Sequence, residues 1–438
     1  MSERFRDSTW DRYGVIETML RDVKIPRFLR VSQNFDPKNI GDITGAIARE
    51  FEKPFVESSI RQGMRVAITV GSRGLANIPQ ITRDVVAEVK KRGGDPFVVP
   101  AMGSHGGATD EGQKQLLEGM GVTESYIGAP ILSSMETVVV GKTDDGKPVH
   151  VDKHAAQSDG IIVMGRVKPH SAFRAEIESG LMKMMAIGLG KQKGAETVHA
   201  EGFGRMGHYV PAFGRIILKA APIIFGIAIV ENSFDDTYKI EAVPRDDFET
   251  EEPRLLKEAF ALMPRIKLDK FDVLIVDKIG KNYSGDGMDP NISGVFGTPY
   301  ASGGPEVQRY VVLDLSEESH GNMLGAGLAD FVTKRLFDKT DFDAAYPNAL
   351  TSRVPKPGKM GLVMKNDMTA IKAGIYNSEG ITDRPPTLVR IPNTSHINEL
   401  LVSETMRDQV EANPELTVLG EPFELEFNEN GNLVELGD

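Results

Sequence analysis

The sequence contains no cysteine. Disulfides, thiolate zinc sites, cysteine-held iron–sulfur clusters and a cysteine nucleophile are therefore excluded. Any metal would have to be held by imidazole, carboxylate, carbonyl or donors that a cofactor brings with it. Positive charge is also in deficit: 51 Lys and Arg stand against 63 Asp and Glu, for a net charge of −12 and a pI of about 5.3. That balance argues against non-specific binding to nucleic acid or to an anionic membrane. Long apolar runs are missing too. The longest, residues 216–230, is interrupted by Lys219 and Pro222 and is too short to span a bilayer. The opening stretch MSERFRDSTWDRYG has no apolar core of a secretory signal, so the cytoplasm is the expected location. There is no internal repeat, no low-complexity tract, no GxGxxG and no P-loop, hence no case for a nucleoside triphosphate.

What is present is an ordinary soluble composition, 40% hydrophobic and 26% charged, over 438 residues. That length predicts two domains. A short apolar run at 65–70, a helical pattern at 79–92 and a second apolar run at 96–100 form a β–loop–α–β unit suited to parallel pairing. A helix over 110–120, a strand pair around 137–151, a helix at 207–221 and strands at 225–230 and 238–243 continue the pattern. The run FDVLIV at 271–276 starts it again. The expectation is an α/β protein of two domains with mostly parallel sheets. The larger, 1–268, carries the chemistry; the smaller, 269–438, closes a cleft between them.

The stretch 159–203 is the richest in reactive groups. A β-branched run at 160–165 reads as a buried strand. Lys168 and His170 follow where it ends, then a glycine- and methionine-rich segment holding Lys183 and Lys191, then His199. Loops leaving buried strands are where α/β enzymes usually place their chemistry. His105, on the glycine-rich loop after the second strand, joins His170 and His199 as a candidate for acid–base work or metal ligation. Each alone reads equally well as a hydrogen-bonded loop histidine. Arg73, after the first strand, suits a bidentate grip on carboxylate or phosphate, or a plain salt bridge. Lys183, flanked by Met182, Met184 and Met185, is either a desolvated nucleophile or a helix lysine reaching out from an apolar face. Lys278, Lys281 and Asp286 lie on a long glycine-rich loop that either closes over a ligand or is surface. Glu176 and Glu178, two apart, read as the solvated acidic face of a strand.

Taken together, Gly71-Ser72-Arg73, Gly103-Ser104-His105, Lys168-Pro169-His170, Gly180-Leu181-Met182-Lys183 and Glu196-Thr197-Val198-His199 resemble, in order and approximate spacing, the nickel-pincer lactate racemase family. The resemblance runs over most of residues 60–300. It implies a racemase or epimerase of a 2-hydroxy acid working by hydride shuttle, with a nickel-pincer nucleotide (a nickel pyridinium bis-thio acid mononucleotide) tethered at Lys183. A host without the pincer-synthesising enzymes would leave Lys183 unmodified. By the same resemblance His199 is the nickel ligand, His105 and His170 are the acid–base pair, and Ser72 and Arg73 serve the cofactor. Arg73 and Lys281 hold the substrate, a small carboxylated 2-hydroxy acid. No nucleic-acid or membrane partner is implied, and a homo-oligomer is left open. Val70 stands where the family carries an acidic residue, and the His170–Lys183 spacer is longer. Those departures keep two alternatives in view: another enzyme on this scaffold acting on a carboxylated substrate without the pincer, and a non-catalytic carboxylate- or cofactor-binding protein.

Overall fold

The computed structural model describes residues 14–72 and 75–434. The chain divides into two compact units, Asp36–Met263 and Met1–Phe35 together with Pro264–Asp438. Each is α/β, with a sheet whose strands are mostly parallel or largely so. The division differs from a simple cut after residue 268. Strand β1 (Phe28–Gln33) lies in the sheet of the second unit, between two strands from the end of the chain. Such pairing across most of the sequence leaves no local signature.

In Asp36–Met263, β2 (Arg65–Val70) and β3 (Asp95–Pro100) are joined by the helix Ile78–Lys91. Strands β4 (Thr137–Lys142) and β5 (Pro148–Asp152) form a separate antiparallel pair. The main sheet is completed by β6 (Gly160–Arg166), β7 (Ile223–Glu231) and β8 (Thr237–Pro244), in the order β3-β2-β6-β7-β8. Side chains alternate between two cores. Ala67, Ile161 and Val163 face Met185, Leu189 and Phe213, whereas Ile68, Ile162 and Met164 face the cluster of Ile81, Val85 and Val89. With both faces covered, the strands read as continuous apolar runs, as parallel strands do.

Strands β3, β2, β6 and β7 are mutually parallel, so their carboxyl ends share one edge. The chain leaves β2 toward β3 on one side and returns as β6 on the other. That makes the β2–β6 boundary a topological switch point, the place in open α/β sheets where connecting loops part and leave a crevice.

The second sheet runs β12-β11-β10-β9-β13-β14-β1-β15. Its members are β9 (Lys270–Ile279), β10 (Glu306–Leu315), β11 (Phe331–Thr333), β12 (Leu362–Met364), β13 (Leu388–Ile391), β14 (Glu399–Ser403) and β15 (Leu416–Phe423). Strands β9 to β13 are parallel, while β14, β1 and β15 are antiparallel. Before β12 the chain forms a 3₁₀ turn at Ala326–Leu328, strand β11 and a short helix, Lys334–Lys339. Among the described residues no helix is long and apolar enough to cross a membrane.

Candidate functional site

Three loops leave the carboxyl edge of the first sheet together. The β2 exit carries Gly71 and Ser72; Arg73 lies outside the described residues. The β3 exit carries His105, and the β6 exit carries Lys168 and His170. The Ser72 hydroxyl and His105 Nδ1 are hydrogen-bonded at 2.5 Å, which joins the first two loops directly. His105 itself is exposed. Its loop turns at Gly103, whose φ of +60° favours glycine, and a Cβ there would stand 3.3 Å from Ile187 and 3.4 Å from Ala195.

Ile187 and Ala195 belong to the two arms of a helical hairpin. The first arm is a short α turn, Leu181–Lys183, continued by a π-helical stretch, Met184–Leu189. The second is the helix Lys191–His199. Lys191 has φ +53° and breaks the run between them. Small residues let the second arm come back alongside the first: Cβ atoms at Gly190 and Gly194 would lie 2.7 and 3.3 Å from the Ala186 carbonyl oxygen. Lys183 stands near the start of the first arm and His199 at the end of the second. Met184, beside Lys183, reaches the exits of both β2 and β6, with its Cε 3.3 Å from a Cβ placed on Gly71 and 3.6 Å from one on Gly165.

Phe203 links the last two histidines. Its ring centroid is 5.7 Å from that of His170 and 5.8 Å from that of His199, and His170 also packs on Phe173 at 4.5 Å. Backbone bonds define the imidazole tautomers. His199 Nδ1 lies 2.8 Å from the Ala195 carbonyl, so Nδ1 carries the proton and Nε2 holds the lone pair. His170 is the reverse: its Nδ1 accepts from the Ala172 amide at 3.0 Å, so the proton of the neutral ring is on Nε2.

Two carboxyl groups that the sequence did not single out for the site hold these elements. Glu178 is buried, not on the face of a strand as expected. It accepts from the backbone amides of His170 at 2.7 Å and Ala175 at 3.1 Å and pairs with Arg174 at 3.3 Å. Burial pushes its carboxyl above the usual range, against the pull of those donors. Glu252, from the helix Phe248–Leu262, accepts from the amides of Met182, at 2.9 Å, and Leu181. It therefore caps the arm that bears Lys183. Full burial raises its carboxyl to about 8. Glu252 had a sequence signal: it falls in helical register with Phe248, Leu255, Leu256 and Ala259, all buried.

Ser72, His105, His170, Lys183 and His199 are all in the unit Asp36–Met263. Lys281 belongs to the other, where its ammonium donates to the Gly285 carbonyl at 2.6 Å and its amide to Ser319 Oγ at 2.9 Å, within and beside its own loop. Among the described residues no three His, Asp or Glu side chains gather as a metal site.

Residues 14–206 match the model of the lactate racemase N-terminal domain, a span that includes Ser72, His105, His170, Lys183 and His199 but neither Glu252 nor Lys281. No curated protein matches the sequence. Among solved structures, the lactate racemase apoprotein from Thermoanaerobacterium thermosaccharolyticum is similar, with a TM-score of 0.48 and 12% identity over 84% of this chain and 98% of that one. The likeness to the lactate racemase family thus rests on residues 14–206, the part of the chain that the N-terminal domain model matches.

Proposed function

We propose that the protein inverts the configuration at C2 of a 2-hydroxy acid, as a racemase or epimerase. The observations that carry the reading are contacts at one sheet edge: the Ser72–His105 bond joins two strand exits, Phe203 stands between His170 and His199, and Ile187 and Ala195, from the arms that bear Lys183 and His199, both border Gly103 of the His105 loop. A nickel-pincer nucleotide fits this arrangement. Lys183 is half-buried near a helix start held by Glu252, a fixed point for a covalent tether. His199 has its Nδ1 proton committed to a carbonyl, which orients Nε2 as a metal donor, as such second partners do in metal sites. The remaining coordination would come from the cofactor's own sulfur and carbon atoms, soft donors suited to nickel. When bound, that group supplies a hydride acceptor for the substrate carbon.

The chain's own residues do the rest. His105 and His170 exchange the proton of the substrate hydroxyl, one for each configuration. The neutral His170 ring presents a protonated Nε2, whereas the Ser72 hydroxyl can donate to or accept from His105 Nδ1 and so supports either tautomer of that ring. In the reading proposed here one histidine serves as base and the other as acid in one direction, and their roles exchange in the other. Arg73 and Lys281 are proposed to bind the substrate carboxylate, as charged donors in bidentate or point-charge fashion. The test is chiral chromatography of single-enantiomer 2-hydroxy acids, including larger sugar acids, after incubation with protein co-produced with pincer-synthesising enzymes. Inversion that is lost in both His105→Asn and His170→Asn supports the reading. No inversion across the panel by cofactor-loaded protein contradicts it.

A further inference from the structure

We propose that Lys191 is a positioning residue: from the pivot of the hairpin it fixes, through Gln113, the loop of His105 relative to Lys183 and His199. What the site does rests on the reading above; the geometry does not.

Lys191 is completely buried. Its ammonium meets groups from three separate places: it donates to the Pro100 carbonyl at the end of β3 and to Gln113 Oε1 at 3.0 Å, and it forms an ion pair with Asp152 Oδ2, 3.2 Å away at the end of β5. Gln113 and Asp152 are equally buried. The other end of Gln113 donates from Nε2 to the carbonyls of Gly103, at 2.8 Å, and of His105, at 3.2 Å. One buried side chain thus connects the ammonium to the backbone of His105. Its own backbone sits where the two arms meet.

A structural ion pair needs only Lys191 and Asp152. Two features ask for more. The first is the backbone. At φ +53° the position favours glycine, and glycines stand at 188, 190 and 194 around it, yet a lysine is held there against both its conformational preference and the cost of desolvating its charge. Burial does push this ammonium below its ordinary range, with Asp152 opposing. The second is the amide of Gln113, whose acceptor end meets the lysine and whose donor end meets the His105 loop. Reversing either partner would leave buried polar groups unpaired.

Hydrogen exchange read by mass spectrometry on the full chain, without cofactor, tests this. Gln113→Glu retains an acceptor for Lys191 and loses the donor to Gly103 and His105; Gln113→Leu loses both. In both, exchange over residues 102–108 should rise about tenfold or more, while β2 and β7 keep their wild-type rates. Lys191→Gly should show the same local change although its backbone is relieved. Unchanged exchange over 102–108 in the two Gln113 variants would overturn the proposal. So would a rise spread evenly through the unit, the signature of a stability role alone. These outcomes do not depend on turnover, so a failed racemase reading would leave them standing.

Discussion

Glu252 makes the stability of this protein fall with rising pH in a defined window. Its carboxyl stands near 8 in the folded chain against an ordinary value of 4.5. Below about pH 4.5 the group is protonated whether the chain is folded or not, and its contribution is fully present. As pH rises, the unfolded chain ionises first and gains stability relative to the folded one. The loss accumulates until the folded group itself ionises near pH 8. A difference of about 3.5 units at about 1.36 kcal/mol each amounts to about 5 kcal/mol across that window. For a unit of this length that corresponds to a melting shift on the order of 10 °C. Glu252→Gln keeps an oxygen for the Met182 and Leu181 amides and cannot ionise. Thermal melts of both proteins at half-unit steps from pH 4.5 to 9 should nearly coincide at the acid end and diverge steadily, with the variant the more stable at pH 8. Parallel curves would refute the reasoning, because they would mean that Glu252 ionises in the folded protein as it does in the unfolded one. The same carboxyl caps the arm that bears Lys183, so the consequence is local to that arm: at alkaline pH its cap is a desolvated carboxylate.

Three further outcomes follow from the geometry. Glu178→Ala should cost about 3 kcal/mol or more in chemical denaturation, because it strands the buried His170 and Ala175 amides and breaks the pair with Arg174; Glu178→Gln should cost less. Phe203→Leu should lower stability by under about 1.5 kcal/mol, yet shift the imidazole proton resonances of both His170 and His199 and leave those of His105 in place. Gly103→Ala, at φ +60° and against Ile187 and Ala195, should destabilise by about 1–2 kcal/mol in the same denaturation assay, with increased exchange in the His105 loop.

Much of the first unit was legible because its signals are local. The run at 65–70 and the apolar run at 160–165 are strands that differ from expectation by no more than a residue, since fully buried parallel strands show as short β-branched blocks bounded by glycine or charge. The strands of the second unit that pair across the chain, β1, β14 and β15, were missed, as was the helix Phe342–Ser352. In β1 and β14 the decisive partner is hundreds of residues away. Strand β11 is three residues long and sits in an apolar stretch whose spacing also fits a helix. The histidines and Lys183 were legible as strand-exit and glycine-flanked residues, but their supports were not. Glu178 and Lys191 look like any charged residue in sequence, and burial alone distinguishes them. Glu252 was different: its register with the apolar face of its helix was there to be read.

The central claim is that Lys183 tethers the cofactor that His199 ligates. Intact mass and nickel content, measured on protein co-produced with pincer-synthesising enzymes, test it most directly. The account predicts a covalent adduct with near-stoichiometric nickel in the wild type. The adduct should be lost in Lys183→Ala, and nickel but not the adduct should be lost in His199→Ala. A well-folded wild type with neither adduct nor nickel, or an adduct that survives in Lys183→Ala, would contradict it.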